Sequence, residues 1–291
     1  MKHSIEICPL SESNCFTVSS QIKSEFILPI HHHDCFELTF IKNAKGLKRI
    51  VGDHIGETEN YELVLLSPIL PHTWQIHKCK SYEATEVTIH FHKDLFDDKF
   101  LTRSRLLPIK TMLENASRGV LFSSNTSSLM SYKIMRLYNS DGFSAVIDFL
   151  TILHELSTAT NYEILSSSSF NNTDYCSYKS ERVDQVIDYL NKNYSNNITL
   201  SDVASLTNMA ESAFCRFFKK QTGSTYIDIL TEIRLGHASK MLVNTSLSVS
   251  EIAYACGFNN ISNFNRIFKK RKGYTPKEFK KVYFSETQYF I

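Results

Sequence analysis

Over the first 92 residues apolar and polar positions alternate in short runs, at 36–41, 61–66 and 84–91, separated by Gly, Asn, Asp and Pro. A period of two marks strands with one buried face, so this stretch predicts β structure. The period then lengthens. Leu106, Ile109, Leu113 and Ala116 fall three or four apart, as do Phe143, Val146, Ile147, Leu150, Leu153, His154 and Leu156, and residues 93–165 predict helices. The run Gly119, Val120, Leu121, Phe122 interrupts them as an isolated extended piece. At 166–180 the periodicity gives way to serines and then Asn171, Asn172, Thr173 and Asp174, which predicts a polar linker.

From 181 onward the pattern is helical throughout, with repeated start signals. Thr199 with Asp202, Thr225 with Asp228, Ser248 with Glu251 and Thr275 with Glu278 each place a hydroxyl three residues before a carboxylate, the pattern of a capping box. Four such starts a helix apart predict a bundle of about seven short helices. Within it one pattern is written twice. Phe214, Arg216, Phe218, Lys219, Lys220 and Gly223 recur fifty residues on as Phe264, Arg266, Phe268, Lys269, Lys270 and Gly273. A short helical pattern precedes each copy, at 200–204 and at 249–253. Two helix-turn-helix units are therefore predicted, with second helices over 210–221 and 260–271. A helix from 225 to 244 joins them, and at ~1.5 Å per residue it spans roughly 30 Å. One turn of B-DNA is roughly 34 Å, so this spacer suits successive major grooves on one face of a duplex.

Charge supports that reading only through its distribution. The net charge is +2, but residues 181–291 hold 15 Lys and Arg against 10 Asp and Glu, leaving a mildly acidic body before them. Arg pairs bidentately with guanine and Asn with adenine, which makes Arg216, Arg266 and Asn265 the expected base readers. Lys219, Lys220, Lys269 and Lys270 are placed for phosphates. The seven cysteines (8, 15, 35, 79, 176, 215 and 256) are odd in number and never spaced C-x-x-C, arguing against a disulfide framework or a structural zinc site. No apolar run reaches the ~18 residues of a membrane span and no leader pattern opens the chain, so a cytoplasmic protein without membrane partners is expected.

Residues 181–291 resemble the DNA-binding domain of the AraC/XylS family of transcription regulators. The resemblance is carried by Ile233-Arg234-Leu235-Gly236-His237-Ala238, Ala255-Cys256-Gly257-Phe258, Phe264-Asn265-Arg266-Ile267-Phe268-Lys269-Lys270 and Gly273-Tyr274-Thr275-Pro276-Lys277-Glu278-Phe279. It implies that Ser212, Cys215, Arg216, Ile261, Ser262, Asn265 and Arg266 face bases. The first copy then brings Arg216 as its one long base reader, and the second is expected to contribute more of the specificity. The family also implies promoter DNA and RNA polymerase as partners, activation as the commoner mode, and a non-enzyme without a cofactor.

In the N-terminal part, His31, His33, Cys35 and Glu37 share one face if they lie in a strand, and His72 follows later. The spacing H-x-H-x3-E with a further His resembles the cupin metal motif, whose imidazole and carboxylate donors suit iron, manganese, nickel or zinc. The AraC/XylS resemblance instead implies a cupin-like sensing domain that keeps parts of this signature around a metal-free effector pocket, here His31, His33, Glu37, His72 and Trp74. The expected architecture is multidomain α+β. A cupin-like β-barrel (1–92) precedes a helical dimerisation segment (93–165), a linker (166–180) and an all-α double helix-turn-helix domain (181–291). The expected function is a homodimeric regulator that senses a small effector; the alternative is a metal-dependent cupin enzyme fused to a DNA-binding tail.

Overall fold

The computed structural model describes residues 4–5, 10, 14–80, 83–171 and 180–284. It divides into two compact units, one ending at Ser166 and the other beginning at Ser167.

The first unit holds β1 (Ser4–Ile5), β2 (Phe16–Lys23), β3 (His31–His32), β4 (Phe36–Lys42), β5 (Lys48–Val51), β6 (His54–Glu57), β7 (Tyr61–Leu66), β8 (His72–Gln75) and β9 (Ala84–Phe91). After them come α1 (Asp98–Leu101), α2 (Leu107–Asn115), β10 (Val120–Phe122), α3 (Ser124–Tyr138), α4 (Gly142–Ser157) and β11 (Tyr162–Ile164). The strands form two sheets, ordered β1-β3-β8-β5-β6 and β11-β10-β7-β4-β9-β2. Among the described residues neither sheet closes on itself, so the unit is sheet-rich without being one closed barrel. Residues 119–122 are not isolated, because Val120 and Leu121 pair with Leu65 and Val64 while β11 pairs on their other side. The region read as purely helical thus returns two strands to the sheet.

The period of two sorts the side chains of the larger sheet. Leu38 and Phe40 of β4, Leu63 and Leu65 of β7, and Val87, Ile89 and Phe91 of β9 form one apolar core with Met112, Ile134, Phe149, Ile152 and Leu156 of α2 to α4. Ile41, Val64 and Leu66 point the other way, into a second core with Leu47, Val51, Leu70 and Trp74. Glu37 and Glu62 share that second face by alternation, which brings charged groups between the sheets.

Ser166 ends this unit firmly: its hydroxyl donates to Asp53 Oδ1 at 3.0 Å, and its carbonyl accepts from Arg118 Nε at 2.8 Å. The second unit opens with α5 (Ser168–Asn171), which rests on a later helix at Gly236, where a Cβ would come within 2.5 Å of Ser169 Cβ. The beginning of the expected linker, 166–171, is therefore packed, and residues 172–179 lie outside the described residues. Seven helices follow: α6 (Glu181–Asn193), α7 (Leu200–Leu206), α8 (Glu211–Thr222), α9 (Tyr226–Asn244), α10 (Val249–Ala255), α11 (Ile261–Lys272) and α12 (Pro276–Phe284). Residues 285–291 of the predicted domain lie outside the described residues.

Cys35 is disulfide-bonded, a departure from the expectation that the cysteines build no disulfide framework. Among the described residues no helix is long and apolar enough to cross a membrane.

Candidate nucleic-acid interface and buried histidine cluster

The two predicted recognition helices exist, each shifted by one residue, with Ala210 and Asn260 as their N-caps. Their partners α7 and α10 both begin in complete capping boxes. Thr199 and Ser248 accept from the backbone N–H three residues on, and the Asp202 and Glu251 carboxylates accept from the cap N–H at 2.8 Å. The turns between paired helices also match. Met209 N–H reaches Ala204 O at 3.2 Å and Phe258 N–H reaches Ala253 O at 3.0 Å, with Asn208 (φ 53°) and Gly257 (φ 80°) in the left-handed region. Only Gly fits the second turn, because a Cβ on Gly257 would stand 2.7 Å from Tyr194 O and 3.0 Å from Arg234 Nε.

Periodicity then decides what each recognition helix hides. Phe214 and Phe218 are buried in a core with Val183, Ile187, Leu190 and Ile233. Phe264 and Phe268 stack in a chain running from Phe258 to Phe279 and Tyr283, with ring centroids 4.8 to 5.5 Å apart. The opposite faces stay open. Ser212, Cys215, Arg216, Lys219 and Lys220 are exposed on α8, and Ser262, Arg266, Lys269 and Lys270 on α11, where Ile261 and Asn265 are half-buried. Arg266 Nη2 donates to Asn263 Oδ1 at 2.9 Å one turn back, a contact that orients the guanidinium along the helix.

The spacer helix α9 is buried on several sides, at Leu230, Ile233, Leu235, Gly236, Ala238, Ser239, Leu242 and Val243. It therefore serves as the shared core of both modules rather than as an exposed rod. Arg234 of α9 donates to Tyr194 O at 2.7 Å and Asn196 O at 2.8 Å, and Arg271 at the end of α11 reaches Asp228 and Glu232 of α9, each at 3.2 Å. These bonds tie α9 to the loop after α6 and to the end of α11.

In the first unit, β3 ends at His32, so His31, His33, Cys35 and Glu37 do not share one strand as the alternation implied. The chain turns at 33–35, and register brings the residues together instead: His31 opposes His72 across β3 and β8, and Glu37 opposes His90 across β4 and β9. His33 Nε2 lies 2.6 Å from Glu37 Oε2, His72 Nε2 3.2 Å and His90 Nε2 3.4 Å. The hydroxyl of Thr39 donates to the other oxygen, Glu37 Oε1. His72 is 1% exposed, and none of His31, His33 and Glu37 exceeds 5%. Burial works against ionisation of Glu37, yet the charge of His72 and hydrogen bonds from His33, His72 and His90 hold its carboxyl well below the usual range. Burial lowers the pKa of His72, and the Glu37 carboxylate pulls it back up.

Trp74 belongs to a neighbouring polar node. Its indole N–H donates to Glu62 Oε1 at 2.6 Å, and Arg49 Nη1 donates to Glu62 Oε2 at 2.6 Å. Arg49 and Glu62 border a cavity of about 340 Å³ that Tyr61, Ser123, Asn161 and Tyr162 also line. Sequence reasoning missed His90, Arg49 and Glu62. The available signal was a charged or imidazole side chain at an inward position of an otherwise apolar strand.

Two helix-turn-helix units, each offering an exposed basic helix beside a buried Phe pair, define a DNA-binding module. Residues 203–281 match a family described as a helix-turn-helix domain. Over 97 residues the chain is 39% identical to an HTH-type transcriptional regulator in the cgkA 5' region of Pseudoalteromonas carrageenovora, covering 33% of this chain and 57% of that protein. Over 110 residues it is 32% identical to the bifunctional transcriptional activator/DNA repair enzyme AdaA of Bacillus subtilis, covering 38% and 52%. The chain thus spans about half the length of these two relatives. The HTH-type transcriptional activator RhaS of Mannheimia succiniciproducens is 23% identical over 259 residues, covering 87% of this chain and 89% of that protein. The C-terminal unit thus carries a helix-turn-helix domain over residues 203–281.

Proposed function

We propose that the protein is a sequence-specific transcription regulator, an activator by the names of its relatives, that binds promoter DNA with α8 and α11 in successive major grooves. The observation that carries this is the duplicated module: two capped helix pairs on one spacer helix, with Arg216 and Arg266 exposed at matching positions. In this reading Ser212, Cys215, Arg216, Ile261, Ser262, Asn265 and Arg266 face bases, and Lys219, Lys220, Lys269 and Lys270 face phosphates. The first unit senses an effector held between its two sheets, in a cupin-like arrangement. Leu129 and Tyr132 of α3 and Phe143 and Ile147 of α4, all exposed, supply the contact surface of a homodimer. RNA polymerase is the partner that activation requires, and the protein acts in the cytoplasm without catalysing a reaction.

Selection of bound sequences from a random duplex library tests the DNA reading. The expected product is two conserved stretches with centres about 10 base pairs apart. Arg216→Ala and Arg266→Ala should each relax preference in one stretch and cost about 1–3 kcal/mol in specific binding. Unchanged sequence preference in both variants, with the fold intact by circular dichroism, would rule the proposal out.

A further inference from the structure

Helix α2 turns two stripes inward. Ile109 and Leu113 pack into the apolar core of the larger sheet. Pro108, Thr111, Met112 and Asn115, at i, i+3, i+4 and i+7, share the neighbouring stripe and face a cleft of about 400 Å³. Val120 and Phe122 of β10 give the cleft its floor, the last turn of α4 adds Leu156 and Ser157, and Tyr162 of β11 stands opposite Phe122. Met112, Val120, Phe122 and Leu156 are each 6% exposed or less, whereas Leu107 and Tyr162 at the mouth are 46% and 45% exposed.

The cleft stays open because the residues between floor and mouth are short. Ser104, Thr111, Asn115 and Ser157 stand where a larger side chain would close the space. Its walls are fixed by other means. Pro108 sets the first turn of α2, and β10 is paired on both sides, by β7 and β11. A cavity of roughly 150 Å³ takes one benzene ring, so this one has room for two fused rings.

Charge decides what the cleft can hold. None of the side chains lining it is charged. Lys110 and Glu114 of α2 lie outside it, 3.8 Å from each other. Alternation turns Glu163, the charged residue of β11, toward the cavity beside Arg49 and Glu62 instead. An ion entering the cleft would lose hydration with no opposite charge to receive it. A sugar would leave hydroxyls without partners against the Met, Val, Phe and Leu side chains. An uncharged molecule with an apolar body suits the floor, and one or two hydrogen-bonding groups on it suit Thr111 and Asn115 above.

We infer that the cleft between α2, α4, β10 and β11 binds an uncharged, largely apolar small molecule about the size of two fused aromatic rings. This site lies outside the gap between the two sheets that the proposed function gives to an effector, and it stands whether or not that gap is used.

The test uses the full chain and three ligands with one ring system: 1-naphthalenemethanol, which is neutral, the anion 1-naphthoate and the cation 1-naphthylmethylammonium. Binding is read by equilibrium dialysis, followed by naphthalene absorption. One molecule of the alcohol per chain is expected, with a Kd below about 100 μM. Each ion should bind at least about tenfold more weakly. Thr111 is exposed on α2, so Thr111→Trp can lay an indole across the cleft without disturbing the core, and should weaken the alcohol at least about tenfold. Thr111→Lys sets a cation at the rim and should strengthen naphthoate at least about tenfold. Ile27→Ser, at an apolar residue 80% exposed elsewhere on the unit, should change nothing. No saturable binding of the alcohol by the parent protein, equal binding of the alcohol and the two ions, or undiminished binding by a folded Thr111→Trp overturns the site.

Discussion

At Arg49 and Glu62 two opposite charges sit 2.6 Å apart with almost no solvent contact. Burial pushes the Glu62 carboxyl up, and the charge of Arg49 and the Trp74 N–H pull it back. Arg49→Leu leaves that carboxylate buried with only the indole as donor, and should cost about 3–5 kcal/mol in denaturant unfolding. Adding Glu62→Leu should recover most of the loss, because the pair is expensive to break and cheap to replace. Gly257→Ala makes the opposite kind of error, adding an atom where Tyr194 O and Arg234 already stand. It should destabilise the second unit by more than about 1 kcal/mol, whereas Asn208→Gly at the matching turn should be close to neutral. Much of this was hidden from the sequence. The motif residues His31, His33, Glu37 and His72 stood out by spacing, but His90 joins them only through the register of β4 with β9. Pairing register is a long-range property that a local pattern does not encode.

Among the elements, the helices of the second unit were the most legible, because each start is a short-range signal. All four predicted hydroxyl–carboxylate pairs form, and in each the carboxylate is held below its ordinary range by hydrogen bonds, for Asp228 chiefly that of the Thr225 hydroxyl. For Asp202 and Glu278 the backbone N–H of Thr199 and Thr275 leads; for Glu251 the Ser248 hydroxyl leads. A carboxylate with a lowered pKa in the folded state binds fewer protons than in the unfolded chain. Its contribution is therefore present above the unfolded pKa and lost as pH falls through the folded one. The melting temperature should drop between about pH 5 and pH 3, and the triple variant Asp202→Asn, Glu251→Gln, Glu278→Gln should flatten that slope. Ser248→Ala alone should cost about 1 kcal/mol. The first unit was harder to read. On α4 the buried stripe is Ala145, Phe149, Ile152, Leu153 and Leu156, while Phe143 and Ile147 are exposed. A helix with apolar residues on most sides does not announce which side meets the sheet.

For the molecule as a whole, a modest net charge conceals a concentration of Lys and Arg on the exposed faces of α8 and α11. Each lysine that neutralises a phosphate releases about one counterion, so replacing Lys219, Lys220, Lys269 and Lys270 with alanine should lower the salt slope of binding by about 3 to 4. The loss should be nearly equal on specific and random DNA, in contrast to the arginine variants. The packing of α9 against both modules has its own consequence for the DNA. A spacer packed as a shared core against both modules fixes the distance between their recognition helices. Each base pair inserted between the two read stretches moves the second by 3.4 Å and rotates it by about 35° around the duplex. Five inserted base pairs carry it to the far side, and affinity should fall to that of one module alone. Under the proposed reading, target sites are thus free to drift in the bases between the two stretches, but not in their number.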